Sequence, residues 1–531
     1  MCLMVRGMFR QPLRTKGERR QVSLTASVPA PVGGWNTRDS LAAMPVEDAV
    51  KLDNLFPTTV DVEIRGGQSD YAHTITGTVE TLATYTGLDG VEQFFAVTDT
   101  DCYDISSSGA GSAETFTQHS DGKYQWLNMG DGSSEWLLMF NDAAADRPKY
   151  YNGSAWTSVT TTGSPQLTGI DPLKAVFGCT YHGRLLLLEK DTLNFWYLPA
   201  GVVGGLAVKF DLSPFANMGG YLMWAATWTF DAGDGMDDMI VFMTSEGQAI
   251  IYTGIDPASA SLWSRVGTYF LGKPLGRRSY VQFAGDLLAV TQEGIFPMSE
   301  GIRMATINDR VAVSDKIKNT FNASARNYGS NFGWMVQHYP LKNAIIFNIP
   351  VNTTTGQVQY VMNTVTGAWC QFKAWPAQCW GIYNDEIYYG ASTVVQKAWT
   401  GVSDVGNNIV AEGYMAWNNF GSSTQSKNIK LFRTMIQTNG NLDYLTDVDV
   451  DFKNRVITGV ASYTPAAGGV WDTGKWDTAT WTGSLDTILK WTSPDTHTGY
   501  YFSGKFKIET KSVDVHWVAS DYVYETGGII S

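Results

Sequence analysis

Charge, cysteine, histidine and long apolar runs are all scarce in this chain, and each shortage excludes a class of protein. Asp, Glu, Lys and Arg make up only 17% of its 531 residues, too few for the charge-laced surface of a long helical protein. The net charge of −13 beside a 44% hydrophobic content also rules out a wholly disordered chain. The five cysteines (Cys2, Cys102, Cys179, Cys370 and Cys379) are scattered with no C-x-x-C pair, so neither a disulfide framework nor a zinc site is expected, and folding in a reducing cytoplasm is the simpler reading. The longest mainly apolar stretch, MGGYLMWAATWTF at 218–230, is far short of the ~20 residues needed to cross a bilayer. It reads as a buried strand, and no membrane span is expected.

Catalytic patterns fail in the same way. The six histidines (His73, His119, His182, His338, His497 and His516) stand apart, without H-x-H or H-E-x-x-H spacing, and no G-x-S-x-G occurs; they read as structural or surface residues. Three runs match most of a phosphate-binding loop: Gly267-x4-Gly272-Lys273, Gly469-x4-Gly474-Lys475 and Gly499-x4-Gly504-Lys505. Their next residues are Pro274, Trp476 and Phe506, whereas Mg²⁺ binding needs Ser or Thr there and a helix must follow. DAGDGMDD (231–238) offers Asp231, Asp234, Asp237 and Asp238 but lacks EF-hand spacing and the distal Glu, so a solvated turn is the expectation. The phrases SDGKYQW (120–126) and GDGSSEW (130–136) do not match the S-x-D-x-G-x-T-W turn of sialidase-like propellers. No catalytic, cofactor-binding or metal-ligating residue is assigned, and the chain is expected not to be an enzyme.

What is present is aromatic and glycine-rich: Trp 19, Tyr 25, Phe 24 and Gly 54. Strands favour the aromatics and tight turns the glycines, so the expected class is all-β. Apolar runs begin near Val91, Ser134, Gly183, Asp238, Gly285 and Asn343, at intervals of 43, 49, 55, 47 and 58 residues. That is the length consumed by a four-stranded propeller blade, with five to seven blades permitted. Runs end in turns such as YYNGSAW (150–156), YTGIDP (252–257) and NTVTGAW (363–369), whose aromatics can pack between blades.

Four regions follow. Residues 1–26 form a basic, disordered arm; positions 1–20 carry a net +5 and leave −18 on the rest. An upstream start or a docking arm for an acidic partner are the other readings of this stretch, which lacks a signal-peptide pattern. Residues 27–69 are extended, with one short helix at 45–54 opened by Pro45 and favoured by Glu47 and Asp48 in its first turn. Residues 70–405 are the propeller-like body, interrupted by a helix at 314–324 with Ser314 as N-cap and Ile317 and Phe321 on one face. Residues 406–531 form a second β domain, in which WDTGKWDTATW (471–481) repeats Trp every five residues.

The segment PAPVGGWNTRDSLAAMPVEDAVKLDNLFPTTVDVEIRGG resembles the opening of tail proteins from short-tailed bacteriophages. FNDAAADRPKYYNGSAW (140–156), HGRLLLLEKDTLNFWYLPAG (182–201), TSEGQAIIYTGIDP (244–257) and WDTGKWDTATW are similar to later stretches of that family, in the same order. The resemblance implies a tail nozzle, also called tail tubular protein B or stabilisation protein. Such a protein contains a β-propeller and forms a homo-hexameric ring below the portal and its adaptor ring. It meets tail fibres or tail-tip proteins, and viral DNA passes through it during ejection without specific binding. The location implied is the virion tail, after synthesis in the host cytoplasm, with no cofactor. Six chains at −13 each would repel phosphate from lumen-facing positions, and two apolar subunit faces per chain would account for the low charge. The alternative is a glycan-binding or glycan-cleaving propeller at the tail tip, using exposed Trp471, Trp476 and Trp481; a lectin-like propeller outside the virion is a third reading.

Overall fold

The computed structural model describes residues 23–231, 236–303, 311–351, 356–440, 442–457, 485–494 and 498–527. The basic arm at 1–20 and the tryptophan repeat at 471–481 lie outside them.

Seven antiparallel sheets follow one another along the chain. They occupy residues 79–113 (blade 1), 125–158 (blade 2), 175–211 (blade 3), 222–270 (blade 4), 280–297 (blade 5), 335–372 (blade 6) and 379–398 (blade 7). The first strand of each blade lies against the first strand of the next, except that blade 4 meets the second strand of blade 5. Cys379–Tyr383 of blade 7 returns to Val79–Thr86 of blade 1. The sheets therefore close into a ring, a seven-bladed β-propeller.

The recurring apolar runs are the second strands of blades 1 to 6, and each is buried on both faces: Arg184–Glu189 has Leu185, Leu186, Leu187 and Leu188 all buried. Aromatic pairs fill the wedges between blades. Phe94 stacks on Tyr383 at 4.9 Å (blades 1 and 7), Phe195 on Phe242 at 4.6 Å (blades 3 and 4) and Trp224 on Tyr280 at 4.7 Å (blades 4 and 5). Three first-to-second-strand hairpins turn through two residues, both with positive φ: His182–Gly183, Ala284–Gly285 and Asn384–Asp385. This is the twist a two-residue hairpin demands.

Blade 7 takes its outer strand from the other end of the propeller. Gln68–His73 pairs antiparallel with Val395–Ala398, so a strand preceding blade 1 closes the ring. Blade 5 has three strands, and its place at the rim is followed by two helices, Met298–Arg303 and Lys318–Tyr328.

Apart from a two-stranded parallel sheet of Leu167–Thr168 with Gly205–Leu206, the remaining strands form one sandwich built from both chain ends. Asp48–Asp53 joins Trp369–Phe372 of blade 6 to Ile409–Met415, and Phe502–Thr510 and Tyr444–Val450 continue that sheet. The facing sheet pairs Val515–Thr526 with Ser23–Pro29, Lys427–Thr438 and Val62–Ile64. The two sheets approach closely at glycines. A Cβ on Gly413 would lie 2.5 Å from the Trp517 ring, and one on Gly504 2.4 Å from the Tyr522 hydroxyl.

Two local expectations are corrected. Residues 45–54 hold no helix: Asp48–Asp53 is a strand with Ala49 and Leu52 fully buried, paired on both sides. The Asp48 carboxylate, expected to favour a helix start, accepts instead from Lys316 Nζ and Asn36 Nδ2, each at 2.7 Å. Sheet pairing with distant strands outweighs a short segment's weak helical preference. The second helix exists but begins with a 3₁₀ turn at Asp315–Ile317 and runs from Lys318 to Tyr328. Ser314 does not cap it; its hydroxyl accepts from Ile295 N at 3.1 Å. Ile317 and Phe321 are both fully buried.

Candidate functional site

The residues that resembled chemistry in the sequence are dispersed through the scaffold. Gly267 lies within the strand Trp263–Phe270, and Lys273 pairs with Glu246 at 2.7 Å. Gly504 and Lys505 lie within the strand Phe502–Thr510, where Lys505 is fully buried against Asp449. Neither run opens a helix, so neither forms a phosphate cradle; Gly469 to Lys475 lies outside the described residues. Asp231 ends one strand of a hairpin and Asp237 and Asp238 stand in the other. Asp238 accepts from Thr229 Oγ1 at 2.9 Å, and Asp234 lies outside the described residues. Among the described residues no group of three or more His, Cys, Asp or Glu is placed to hold a metal ion.

Five of the histidines have separate structural settings, and His497 lies outside the described residues. His119 stacks on Tyr124, its Nε2 2.8 Å from Thr98 O, and burial pushes its pKa down. His516 Nδ1 lies 2.9 Å from Asp61 Oδ2, and that bond raises the His516 pKa. His338 meets Phe283 edge-on, His182 occupies a hairpin turn and His73 bonds Thr74.

The phrase FNDAAADRPKYYNGSAW builds the base of blade 2. Asn141 Nδ2 donates to Asp146 Oδ2 at 2.8 Å and to Asp121 Oδ1 at 2.7 Å, while Asp146 also accepts from Ser120 Oγ and the Tyr124 hydroxyl. Lys149 is 1% exposed, donates to Gln118 O and Ser158 Oγ, and is pushed down to about 8 by burial. Tyr151 and Trp156 pack on Phe95 of blade 1. These residues fix blade-to-blade geometry.

One volume on the propeller axis stands out. The first strands of the seven blades, with the segments leading into them, surround an axial cavity of about 350 Å³, lined by residues from Thr81, Tyr124, Phe177, Ala226, Tyr280, Met335 and Trp380 around the ring. Arg278 crosses it from blade 5 to blades 1 and 2. Its Nη1 donates to Glu80 O at 2.8 Å, and its Nη2 to Thr81 Oγ1 at 2.6 Å and Tyr124 O at 2.7 Å. The guanidinium lies 5.1 Å from the centre of the Phe332 ring. Neighbouring Arg277 donates to Leu222 O and Met223 O and pairs with Asp142.

No sequence pattern marks this cavity, because its lining is contributed a few residues at a time by all seven blades. The adjacent basic pair Arg277-Arg278 before a strand was its one local trace.

No family model matches the chain, and no curated protein matches it. Among solved structures it is similar to Raptor of Chaetomium thermophilum (TM-score 0.38, 10% identity, 64% of this chain). It spans only 29% of the Raptor chain. It is similar also to BBS1N in complex with ARL6DN (TM-score 0.39, 10% identity, 64% of this chain and 100% of that one). A third is Sqt1 of Saccharomyces cerevisiae (TM-score 0.36, 8% identity, 66% and 96%). At these scores the likenesses carry no functional weight; the sheet order and ring closure described above define the propeller.

Proposed function

We propose that the protein is a structural subunit of the tail nozzle of a short-tailed bacteriophage, a ring below the adaptor and portal through which viral DNA exits. The observation that carries this reading is the ordered series of family-like phrases from residue 29 to residue 481. Three further observations support it. The described parts of those phrases go into the terminal sandwich, blade cores and blade contacts, as expected of a scaffold. The propeller axis holds only a cavity of about 350 Å³ among packed side chains, which offers no passage to a duplex. A conduit made of this chain must therefore be formed between several subunits. Finally, the outer strands of blades 3 and 4 expose Val208, Val266 and Phe270, and apolar side chains on edge strands favour a protein neighbour over water.

The test is the mass and shape of the purified full-length chain, alone and mixed with the adaptor ring, by native mass spectrometry and electron microscopy. A closed ring of six copies is expected, alone or on the adaptor. A strictly monomeric chain in both conditions overturns the proposal. Binding or cleavage of host polysaccharide without ring assembly would favour the glycan reading instead.

A further inference from the structure

The axial cavity reverses the sign of the molecule around it. The chain carries −13 overall, yet the cavity is lined by two arginines and no carboxylate. Arg277 is neutralised, its Nη2 2.9 Å from Asp142 Oδ2, and Asp142 lines an adjoining cavity that Arg277 and Arg278 also border. Arg278 has no such partner. Among the described residues its hydrogen bonds go to two backbone carbonyls and one hydroxyl. They use both Nη2–H groups and one Nη1–H of the five donors a guanidinium carries, leaving the second Nη1–H and Nε–H without an acceptor.

A permanently charged group in a partly buried, largely apolar cleft creates a local potential, and a charge-assisted bond to a counter-ion is worth more there than in open water. The site's chemistry narrows the ligand. Among the described residues no carboxylate touches the Arg278 guanidinium, although Glu80 and Asp121 lie near enough to act on it electrostatically, so a directly bonded anion is the partner the site lacks. Phe177, Tyr280, Met335 and Val336 on the walls favour an apolar body over a fully hydrated ion. A volume of about 350 Å³ suits a small organic molecule or the last residues of a chain. Trp126 and Gln282 are the exposed members of the lining, so the cavity reaches solvent beside them.

The geometry points to the propeller axis as a binding site for an organic monocarboxylate, with Arg278 as the residue that receives the carboxylate. The acid is a free small molecule or the C-terminal carboxylate of a peptide entering beside Trp126. The site is independent of the nozzle reading, since it needs only one propeller.

The experiment is isothermal titration calorimetry with a parallel thermal-shift series on the full-length protein. The probes are hexanoate, its neutral counterpart hexanamide, inorganic phosphate, and a short leucine-ended peptide with a free or an amidated C-terminus. Hexanoate is expected to bind and raise the melting temperature, and hexanamide to do neither. If the free-acid peptide binds and its amide does not, the natural ligand is a chain end; if hexanoate binds and neither peptide does, it is a small acid. The Arg278→Gln variant is expected to weaken hexanoate binding at least tenfold. Because Arg278 also ties three blades together, a second variant, Ala226→Leu, fills the cavity from the blade 4 wall and leaves every Arg278 hydrogen bond in place. It is expected to lose hexanoate binding while its ligand-free melting stays near wild type. Absence of heat and of any shift at 10 mM hexanoate overturns the proposal, as does stronger binding of phosphate than of hexanoate, or hexanoate binding that persists in both variants.

Discussion

The strongest test of the architecture lies at Arg65, where the terminal sandwich meets the closing blade. Arg65 is 1% exposed and all five of its donors are engaged. Nε donates to Asn54 Oδ1 at 2.9 Å; Nη1 to Gly66 O and Asp404 Oδ1, both at 2.9 Å; Nη2 to Lys373 O at 2.9 Å and Asp404 Oδ2 at 2.7 Å. The guanidinium also sits 4.6 Å from the centre of the Trp375 ring. One side chain thus joins the segment before the closing strand, the loop after blade 7 and the loop after blade 6. Asp404, 6% exposed, has no other ion-pair partner among the described residues. Breaking a buried pair by removing one partner costs about 3–5 kcal/mol, because the survivor is left charged in a poor solvent. Asp404→Asn is expected at the lower end, since the amide oxygen still accepts one bond. Arg65→Met is expected at the upper end, since Asn54 Oδ1 and two carbonyls lose donors as well. The double variant Arg65→Met with Asp404→Leu removes both charges and is expected to fall short of the summed single effects by about 2–3 kcal/mol. Urea denaturation followed by the fluorescence of the Trp375, Trp380 and Trp399 cluster reads each effect from the midpoint shift. Single-variant effects below about 1 kcal/mol, or strict additivity, would falsify the claim that this pair holds the ring shut.

Two further outcomes follow from the same junction. His516 and Asp61 join the last strand to an N-terminal turn. Asp61 holds the His516 pKa above its ordinary value of about 6.5, and that bond lowers the Asp61 pKa. The stability from His516 is fully present below about 6.5 and fades as pH rises through the raised value, while that from Asp61 is lost in acid, below about 4. Both groups are partly exposed, so the pair is worth no more than about 1 kcal/mol. His516→Gln should therefore lower the melting temperature at pH 5.5 and leave it unchanged at pH 9; equal losses at both pH values would exclude the ion pair as the cause. At Gly67 a Cβ would lie 2.0 Å from Ser403 O and 2.6 Å from Ser403 N, both rigid backbone atoms. Gly67→Ala is expected to cost about 1–3 kcal/mol and to speed proteolytic cleavage near residues 400–405; wild-type stability and cleavage would refute that contact.

Legibility in the sequence followed the range of each interaction. Second strands of blades 1 to 6 were visible because they are buried on both faces and so spell unbroken apolar runs. Blade 7 was not, because its second strand Glu386–Gly390 reads EIYYG, with two tyrosines in place of an aliphatic run; its Asn384-Asp385 turn was the available signal. The strand at Asp48–Asp53 was misread as a helix because its partners at 34–35 and 409–415 impose an extended backbone that no local pattern carries. The same holds for the sandwich, whose sheets combine residues 23–64 with residues 409–526. The axial cavity was the least legible feature, since no two neighbouring blades share its lining motif and Arg278 finds its acceptors about 150 and 200 positions away.

The pairing of Ser23–Pro29 with Val515–Thr526 governs how the protein is made. Leu24 waits for Tyr524, 500 positions later, which at roughly 5–20 residues per second is about 25–100 s of synthesis. Until then the first strand leaves the ribosome as an open edge, and the strand that closes the propeller waits from Gln68 until Ala398 for blade 7. Pairings of this range make a topology that folds slowly. A chain that stopped before residue 515 could build all seven blades, yet it would lack the strand on which both ends converge.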